Sequence, residues 1–113
     1  MTLNSISNIA KSASYDRSNR TLAIQFLDGS TLSIPIRLLE MVRYDGSEWV
    51  SVVPSDEQLE AVEVSYHGVG EASRLENRII WDDIGQRYRI SDLKQGVYGR
   101  KAWMDGLRAA MSA

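Results

Sequence analysis

The sequence of 113 residues contains no cysteine, and His67 is its single histidine. Without cysteine, disulfide bonds, thiolate catalysis and cysteine-ligated metal sites are excluded, and a reducing compartment is compatible with the chain. One histidine also leaves no second imidazole for a zinc site. We therefore expect no metal site and no cofactor.

Long apolar runs are also missing from the sequence. No run approaches the roughly 20 residues that span a bilayer. The N-terminal segment MTLNSISNIAKSASYD has no basic region followed by an apolar stretch, so a signal peptide is not indicated. These absences predict a cytoplasmic protein without membrane attachment. Hydrophobic residues make up 43% of the chain and charged residues 25%, which is typical of one globular domain at this length.

Charge is weak overall but unevenly distributed along the chain. The net charge is −2, which gives no general attraction to nucleic acid. Residues 1–86 carry 7 basic and 13 acidic side chains, whereas residues 87–113 carry 6 basic and 2 acidic ones. The basic C-terminal part is expected either to pack against the acidic remainder of the chain or to contact an acidic partner.

Residues 20–36, with the sequence RTLAIQFLDGSTLSIPI, carry the clearest structural pattern in the chain. Apolar and polar residues alternate on both sides of Asp28 and Gly29, which is the strongest short-range signal for a β-hairpin. A strand at residues 11–15 extends the predicted hairpin to a three-stranded meander. Two strands alone are marginal in water, so later segments must cover the apolar face.

Shorter elements are predicted after the meander. Ser55 and Gln58 match a helical capping box, with Asp56 and Glu57 in the first turn. The predicted elements are a one- to two-turn helix at 38–42, a short strand or ordered loop at 44–53, a helix at 55–62, strands at 63–67, 78–81 and 87–90, and one helical turn at 91–96 capped by Ser91. The predicted fold class is α+β: a small antiparallel sheet, built from the β-meander hairpin and two or three later strands, covered by short helices, with a C-terminal amphipathic helix.

The C-terminal helix is the most distinctive candidate for a binding surface. Trp103, Leu107 and Met111 are spaced by four residues, with Met104 beside them. A helix of about a dozen residues is marginal by itself in water, so we expect these side chains to contact a partner, a second copy or the chain's own body. The predicted partner-binding residues are Arg100, Lys101, Trp103, Met104, Leu107, Arg108 and Met111.

A catalytic site would have to use His67 with Asp82 or Asp83, since no other histidine is present. A lone histidine at a strand end is more often a polar surface residue than a general base. Asp82, Asp83 and Glu76 lack the spacing of a calcium-binding loop, and residues 68–70 lack the third glycine of a dinucleotide-binding motif. We therefore expect a protein without catalytic residues.

Three blocks of the sequence follow one another along the chain, in the order DGSTLSIPIRLLEMV, PSDEQLEAVEV and IIWDDIGQRYRISDLKQGVYG. Together they resemble the small bacterial family named domain of unknown function 2442. The resemblance covers about residues 13–99 and implies a compact α+β domain without an assigned activity; the loop at 71–76 is longer than in the family.

We divide the chain into a flexible N-terminus at 1–10, a single α+β domain at 11–99 and an appended C-terminal helix at 100–113.

The lack of catalytic groups and the appended helix lead to our main hypothesis, a non-enzymatic protein-interaction module. Genes of the resembled family often lie beside another short gene, which implies a toxin–antitoxin-like or regulatory pair. The partner is then a second protein, or a second copy that forms a homodimer through the C-terminal helix. Two alternatives stay open. One is a nucleic-acid-associated regulator that uses Arg100, Lys101 and Arg108 on phosphates; the other is a small enzyme that uses His67 with Asp82 or Asp83.

Overall fold

Small antiparallel sheets and short helices make up the computed structural model, which describes residues 9–66 and 77–112. The strands are β1 (Ala10–Asp16), β2 (Thr21–Phe26), β3 (Thr31–Pro35), β4 (Val42–Tyr44), β5 (Trp49–Ser51), β6 (Glu63–Tyr66), β7 (Asn77–Trp81) and β8 (Gln86–Arg89). The helices are α1 (Asp56–Glu60), α2 (Ile90–Lys94) and α3 (Lys101–Ser112), and 3-10 turns lie at Ile36–Leu38 and Asp82–Ile84. The predicted α+β class with a C-terminal helix is confirmed.

The predicted meander forms the first sheet, in the order β1-β2-β3. At the turn between β2 and β3, the Phe26 N–H donates to the carbonyl oxygen of Ser30 at 2.9 Å, and the Gly29 N–H donates to that of Phe26 at 3.0 Å. Gly29 has a φ of 90°, which glycine adopts without strain. Leu22, Ile24 and Phe26 are buried, so the alternation of β2 identified its core face correctly.

A second sheet, in the order β6-β7-β8, supplies the other half of the core. Its central strand β7 buries Ile79 and Trp81 almost completely. The Trp81 indole N–H donates to the carbonyl oxygen of Leu59 at 2.8 Å, which fixes α1 against this sheet. The predicted capping box of α1 is present, with reciprocal hydrogen bonds between Ser55 and Gln58. Helix α1 therefore starts where the sequence indicated.

Two buried side-chain amides join the sheets to one another. Asn77, at the start of β7, accepts the N–H of Ala10 at 3.3 Å and donates to its carbonyl oxygen at 3.1 Å. Gln86, at the start of β8, accepts the N–H of Val42 at 3.3 Å and donates to its carbonyl oxygen at 2.8 Å. Each amide satisfies both backbone groups of a residue on another sheet, as a neighbouring strand would.

The predicted helix at residues 38–42 is wrong. Only the 3-10 turn at Ile36–Leu38 forms, and the chain is extended again at Val42. Strand β5 competes for this backbone, because Val42 pairs with Ser51 and the carbonyl oxygen of Met41 accepts the Val52 N–H at 2.9 Å. Tertiary pairing therefore overrides the short apolar pattern. The same pairing resolves the open alternative at 44–53 in favour of a strand.

Helix α2 begins at Ile90, and its N-cap is Arg89, two residues before the predicted cap Ser91. The earlier start places Ile90 within the helix, where it is buried. The predicted end is confirmed, because Gly96 has a φ of 78°. The N–H groups of Gly96 and Val97 donate to carbonyl oxygens of α2, which is the Schellman pattern of helix termination. This turn directs the chain into a short connector, residues 97–99, and then into α3.

Two predicted features lie largely or wholly outside the described residues. The predicted flexible N-terminus at 1–10 overlaps them only at residues 9 and 10, and Ala10 already belongs to β1. The loop at 71–76 lies entirely outside them. Within the described part of the chain, no helix has the length and apolar content needed to cross a membrane.

Candidate partner-binding surface

The first turn of α3 is attached to the body of the protein by a tryptophan. The indole N–H of Trp103 donates a hydrogen bond of 2.7 Å to the carbonyl oxygen of Leu38. The chain enters α3 through Gly99, where an added Cβ atom would lie 2.5 Å from Glu40 Cβ and 2.7 Å from Trp103 Cδ1. The absence of a side chain at Gly99 allows this close approach.

Glu40 and Arg100 form an ion pair beside this attachment. The Arg100 guanidinium donates to both carboxylate oxygens of Glu40, at 2.7 Å for Nη2 to Oε2, and the Arg100 backbone N–H donates to Oε1 at 2.8 Å. The Glu40 side chain is only 9% exposed, whereas that of Arg100 is 53% exposed. The hydrogen bonds from Arg100 lower the pKa of the Glu40 carboxyl, and the nearly buried carboxylate stays charged.

The backbone of Glu40 is also fixed by hydrogen bonds. Its N–H donates to the carbonyl oxygen of Tyr98 at 3.0 Å, and its carbonyl oxygen accepts the Tyr88 hydroxyl at 2.7 Å. Burial raises the pKa of Tyr88, so the hydroxyl remains a proton donor at neutral pH. Glu40 therefore connects the segment after β3 to β8 and to the entry of α3.

Two aromatic residues of the β4–β5 hairpin lie next to Arg100. The guanidinium carbon of Arg100 is 5.4 Å from the centroid of the Trp49 ring, within the range of a cation–π interaction. Tyr44 meets Trp49 edge to face, with ring centroids 5.5 Å apart. Both rings are more than half exposed. We call Tyr44, Trp49 and Arg100 the aromatic ridge.

Two clefts share part of the aromatic ridge as a wall. One has a volume of about 400 Å³ and extends toward β8 and the 97–99 connector. The other has a volume of about 360 Å³ and extends toward the end of β3 and the segment after β5, with Trp103 in its wall. Glu40, Trp49 and Arg100 line both clefts. The Glu40–Arg100 ion pair and the aromatic ridge therefore form part of the surface next to the start of α3.

The apolar side of α3 is only partly covered by the body. Met104 is partly buried, and its sulfur accepts the N–H of Tyr98 at 3.3 Å. Leu107 is also partly buried, but Met111 is 76% exposed. The spacing of Trp103, Met104, Leu107 and Met111 does place them on one side of a helix. We call Met104, Leu107 and Met111 the α3 surface.

The three predicted basic residues, Arg100 just before α3 and Lys101 and Arg108 within it, all form ion pairs with carboxylates. Arg100 pairs with Glu40, as described above. Lys101 Nζ lies 2.7 Å from one oxygen of Asp105, and Arg108 Nη1 lies 3.1 Å from the other. Exposed ion pairs of this kind contribute little to stability, but they neutralise charge locally. The structure therefore separates the seven predicted residues into an apolar set and an ion-paired basic set.

Three residues that shape this region are absent from the predicted set: Glu40, Trp49 and Gly99. For Glu40 a signal exists, because it lies between the buried residues Leu39 and Met41. A carboxylate in such an apolar segment is rarely buried without a paired cation. The sequence contains no comparable signal for the exposure of Trp49 or for the close approach at Gly99.

Of the residues in the enzymatic alternative, the structure describes only the two aspartates. Asp82 and Asp83 are exposed in the 3-10 turn after β7. His67 and Glu76 lie outside the described residues. Within residues 9–66 and 77–112, no group of three histidine or acidic side chains is placed to hold a metal ion. Because His67 lies outside the described residues, the enzymatic alternative stays a hypothesis.

Comparisons with known proteins support the fold and leave the function open. No family model and no curated protein matches the chain. The chain is similar to a crystal structure of a protein of unknown function from Rhodospirillum rubrum, with a TM-score of 0.58 and 27% sequence identity. The match covers 85% of this chain and 95% of that one, so the two share most of their architecture.

Proposed function

We propose that this chain is a non-enzymatic protein-interaction module that binds a protein partner through the α3 surface. The observation that carries the proposal is the unequal burial along α3, from a hydrogen-bonded Trp103 to a Met111 that is 76% exposed. A helix of 12 residues gains little stability by itself in water. Fixing its first turn while leaving apolar side chains available is a suitable arrangement for recognition by another protein.

A protein partner is favoured over nucleic acid by the charges of α3. Arg100, Lys101 and Arg108 are each within ion-pair distance of a carboxylate. Phosphate binding would have to compete with these pairs, and the whole chain has a net charge of −2. Binding of a protein through the apolar side chains of α3 does not require any of these ion pairs to break.

The proposal also concerns the identity of the partner and the type of assembly. We propose a cytoplasmic protein that pairs with the product of a neighbouring short gene, in a toxin–antitoxin-like or regulatory pair, as the sequence resemblance to the domain of unknown function 2442 family implies. A homodimer formed through α3 is the alternative assembly. The two assemblies differ in composition, so they are separable by mass.

The experiment is co-purification of the tagged chain with the product of the neighbouring gene, followed by light scattering. Wild type is compared with Met111→Gln, which removes an exposed apolar side chain without changing charge, and with Ala109→Gln as the matched control on α3. We expect Met111→Gln to lose the assembly and Ala109→Gln to keep it. Monomeric wild-type protein that retains no partner, or equal assembly by both variants, would contradict the proposal.

A further inference from the structure

The cleft of about 360 Å³ beside α3 has a mixed apolar and basic lining. Its apolar part includes Trp49, Val53, Pro54 and Trp103. Val53 is 90% exposed, so its side chain can gain free energy by burial against an occupant. We call this cleft the arginine groove, because three arginines also line it.

The charge of the arginine groove is positive. Its lining contains Arg20, Arg37 and Arg100, and Glu40 is its one acidic residue. Arg100 is paired with Glu40, and Arg20 lies 3.3 Å from Asp56, which is outside the lining. The Arg37 side chain is exposed and has no hydrogen bond or ion pair with any residue that the structure describes. Arg37 is therefore available to bind an external anion.

The groove continues beyond these arginines. Arg20 and Arg37 also line an adjoining cavity of about 280 Å³, together with Ser18, Asn19 and Pro35. The walls of the two adjoining spaces therefore combine apolar side chains with guanidinium groups. This mixed lining fits an extended segment with apolar and acidic side chains better than it fits a small ion.

We propose that the arginine groove binds an acidic, apolar-containing peptide segment of the partner protein. In this assignment a carboxylate accepts hydrogen bonds from Arg37, while apolar side chains pack on Trp49 and Val53. The inference rests on the proposed function, since it names the chemistry of the partner, but it uses a surface separate from the α3 surface.

Charge decides between this occupant and α3 of a second copy. The ionised side chains of α3 are Lys101, Asp105 and Arg108, a net positive set. Inserting such a helix into a groove with arginine in its walls places like charges together. A segment rich in aspartate or glutamate is complementary in charge.

The test is fluorescence anisotropy with the full chain and a labelled peptide of alternating glutamate and leucine. A second peptide with glutamine in place of glutamate is the neutral probe. Arg37→Glu is compared with Arg43→Glu, since Arg43 is exposed on β4 and does not line the groove. We expect the acidic peptide to bind Arg37→Glu about tenfold more weakly than Arg43→Glu, and the neutral peptide to bind wild type about tenfold more weakly than the acidic one.

Thermal melts of both variants control for folding, and Arg37→Gln provides a milder substitution if Arg37→Glu is unstable. Equal binding of the two peptides, equal affinity of the two variants or no binding of the acidic peptide by wild type would overturn the inference. Met111→Gln distinguishes the inference about the arginine groove from the proposed function of the α3 surface. This variant should bind the acidic peptide as wild type does, even though it loses the protein partner.

Discussion

The indole N–H of Trp103 donates a 2.7 Å hydrogen bond to the carbonyl oxygen of Leu38, 65 positions earlier in the chain. Together with Arg100 and Glu40, this bond makes the start of α3 part of the folded body. The sequence interpretation treated residues 100–113 as an appended helix and left open whether it contacts a partner, a second copy or the chain's own body. Met111, two turns further along, is 76% exposed, and its contact with a partner stays a prediction.

The close approach at Gly99 predicts that a small side chain will disturb the attachment of α3. In Gly99→Ala the new Cβ would overlap Glu40 and Trp103, and we expect a loss of about 1–3 kcal/mol in the free energy of unfolding. Gly106→Ala is the control, because open space surrounds that position and alanine favours the helix by up to about 1 kcal/mol. Urea unfolding measures both, and equal stability of the two variants would contradict the packing described at Gly99.

The ion pair of Glu40 predicts a specific dependence of stability on pH. Arg100 lowers the folded-state pKa of Glu40, so the pair stabilises the fold above the unfolded-state pKa of about 4.3. This contribution is lost as the pH falls through the folded-state value. We expect Glu40→Gln to be less stable than wild type by about 1 kcal/mol at pH 7, since Arg100 is half exposed and the interaction is partly screened.

Other carboxyl groups, among them Asp16 and Glu60, also have lowered pKa values. The informative quantity is therefore the difference between wild type and Glu40→Gln, measured by urea unfolding at several pH values. This difference should be constant above pH about 5 and shrink below the unfolded-state pKa. A difference that does not change with pH would show that Glu40 and Arg100 are not coupled through charge.

The bond between Asn77 and Ala10 predicts a large cost for removing one buried amide. Asn77 is 1% exposed, and it satisfies both backbone groups of a residue that is itself fully buried. Asn77→Ala should lower the free energy of unfolding by about 2–4 kcal/mol, because two buried hydrogen bonds to the Asn77 amide are lost. Gln95→Ala, at an exposed amide, is the control. Similar thermal melts for the two variants would mean that Asn77 does not join the sheets.

The hairpin turn predicts a conformational effect at Gly29. No atoms lie within 4 Å of an added Cβ, so crowding is not the cause. At a φ of 90° a β-branched side chain is strained, and Gly29→Val should lose more than about 1 kcal/mol of stability. Gly29→Asn should lose less, since asparagine tolerates positive φ better. An unchanged melting temperature for Gly29→Val would show a different turn.

Local patterns explain which parts of the fold were predictable. The β2–β3 hairpin, the Ser55 capping box and the helix end at Gly96 each depend on neighbours within a few residues. The bonds that join these pieces depend on distant residues, such as Asn77 with Ala10 and Gln86 with Val42. No periodicity marks these residues as partners.

In the candidate site, too, features set by neighbouring residues were predictable and contacts between distant residues were not. The spacing of Trp103, Leu107 and Met111 predicted a helix with an apolar side, and α3 is present at that position. The attachment of its first turn depends on Glu40 and Gly99, whose roles arise only after folding brings the two segments together.

The most direct measurement of the central claim is a calorimetric titration of the co-purified protein partner with this chain and its α3 variants. Met111→Gln should weaken binding at least about tenfold, since it removes apolar contact from the α3 surface. Ala109→Gln should bind as wild type does, and Met111→Leu should retain most of the affinity because it remains apolar. Equal dissociation constants for wild type and Met111→Gln would contradict the account.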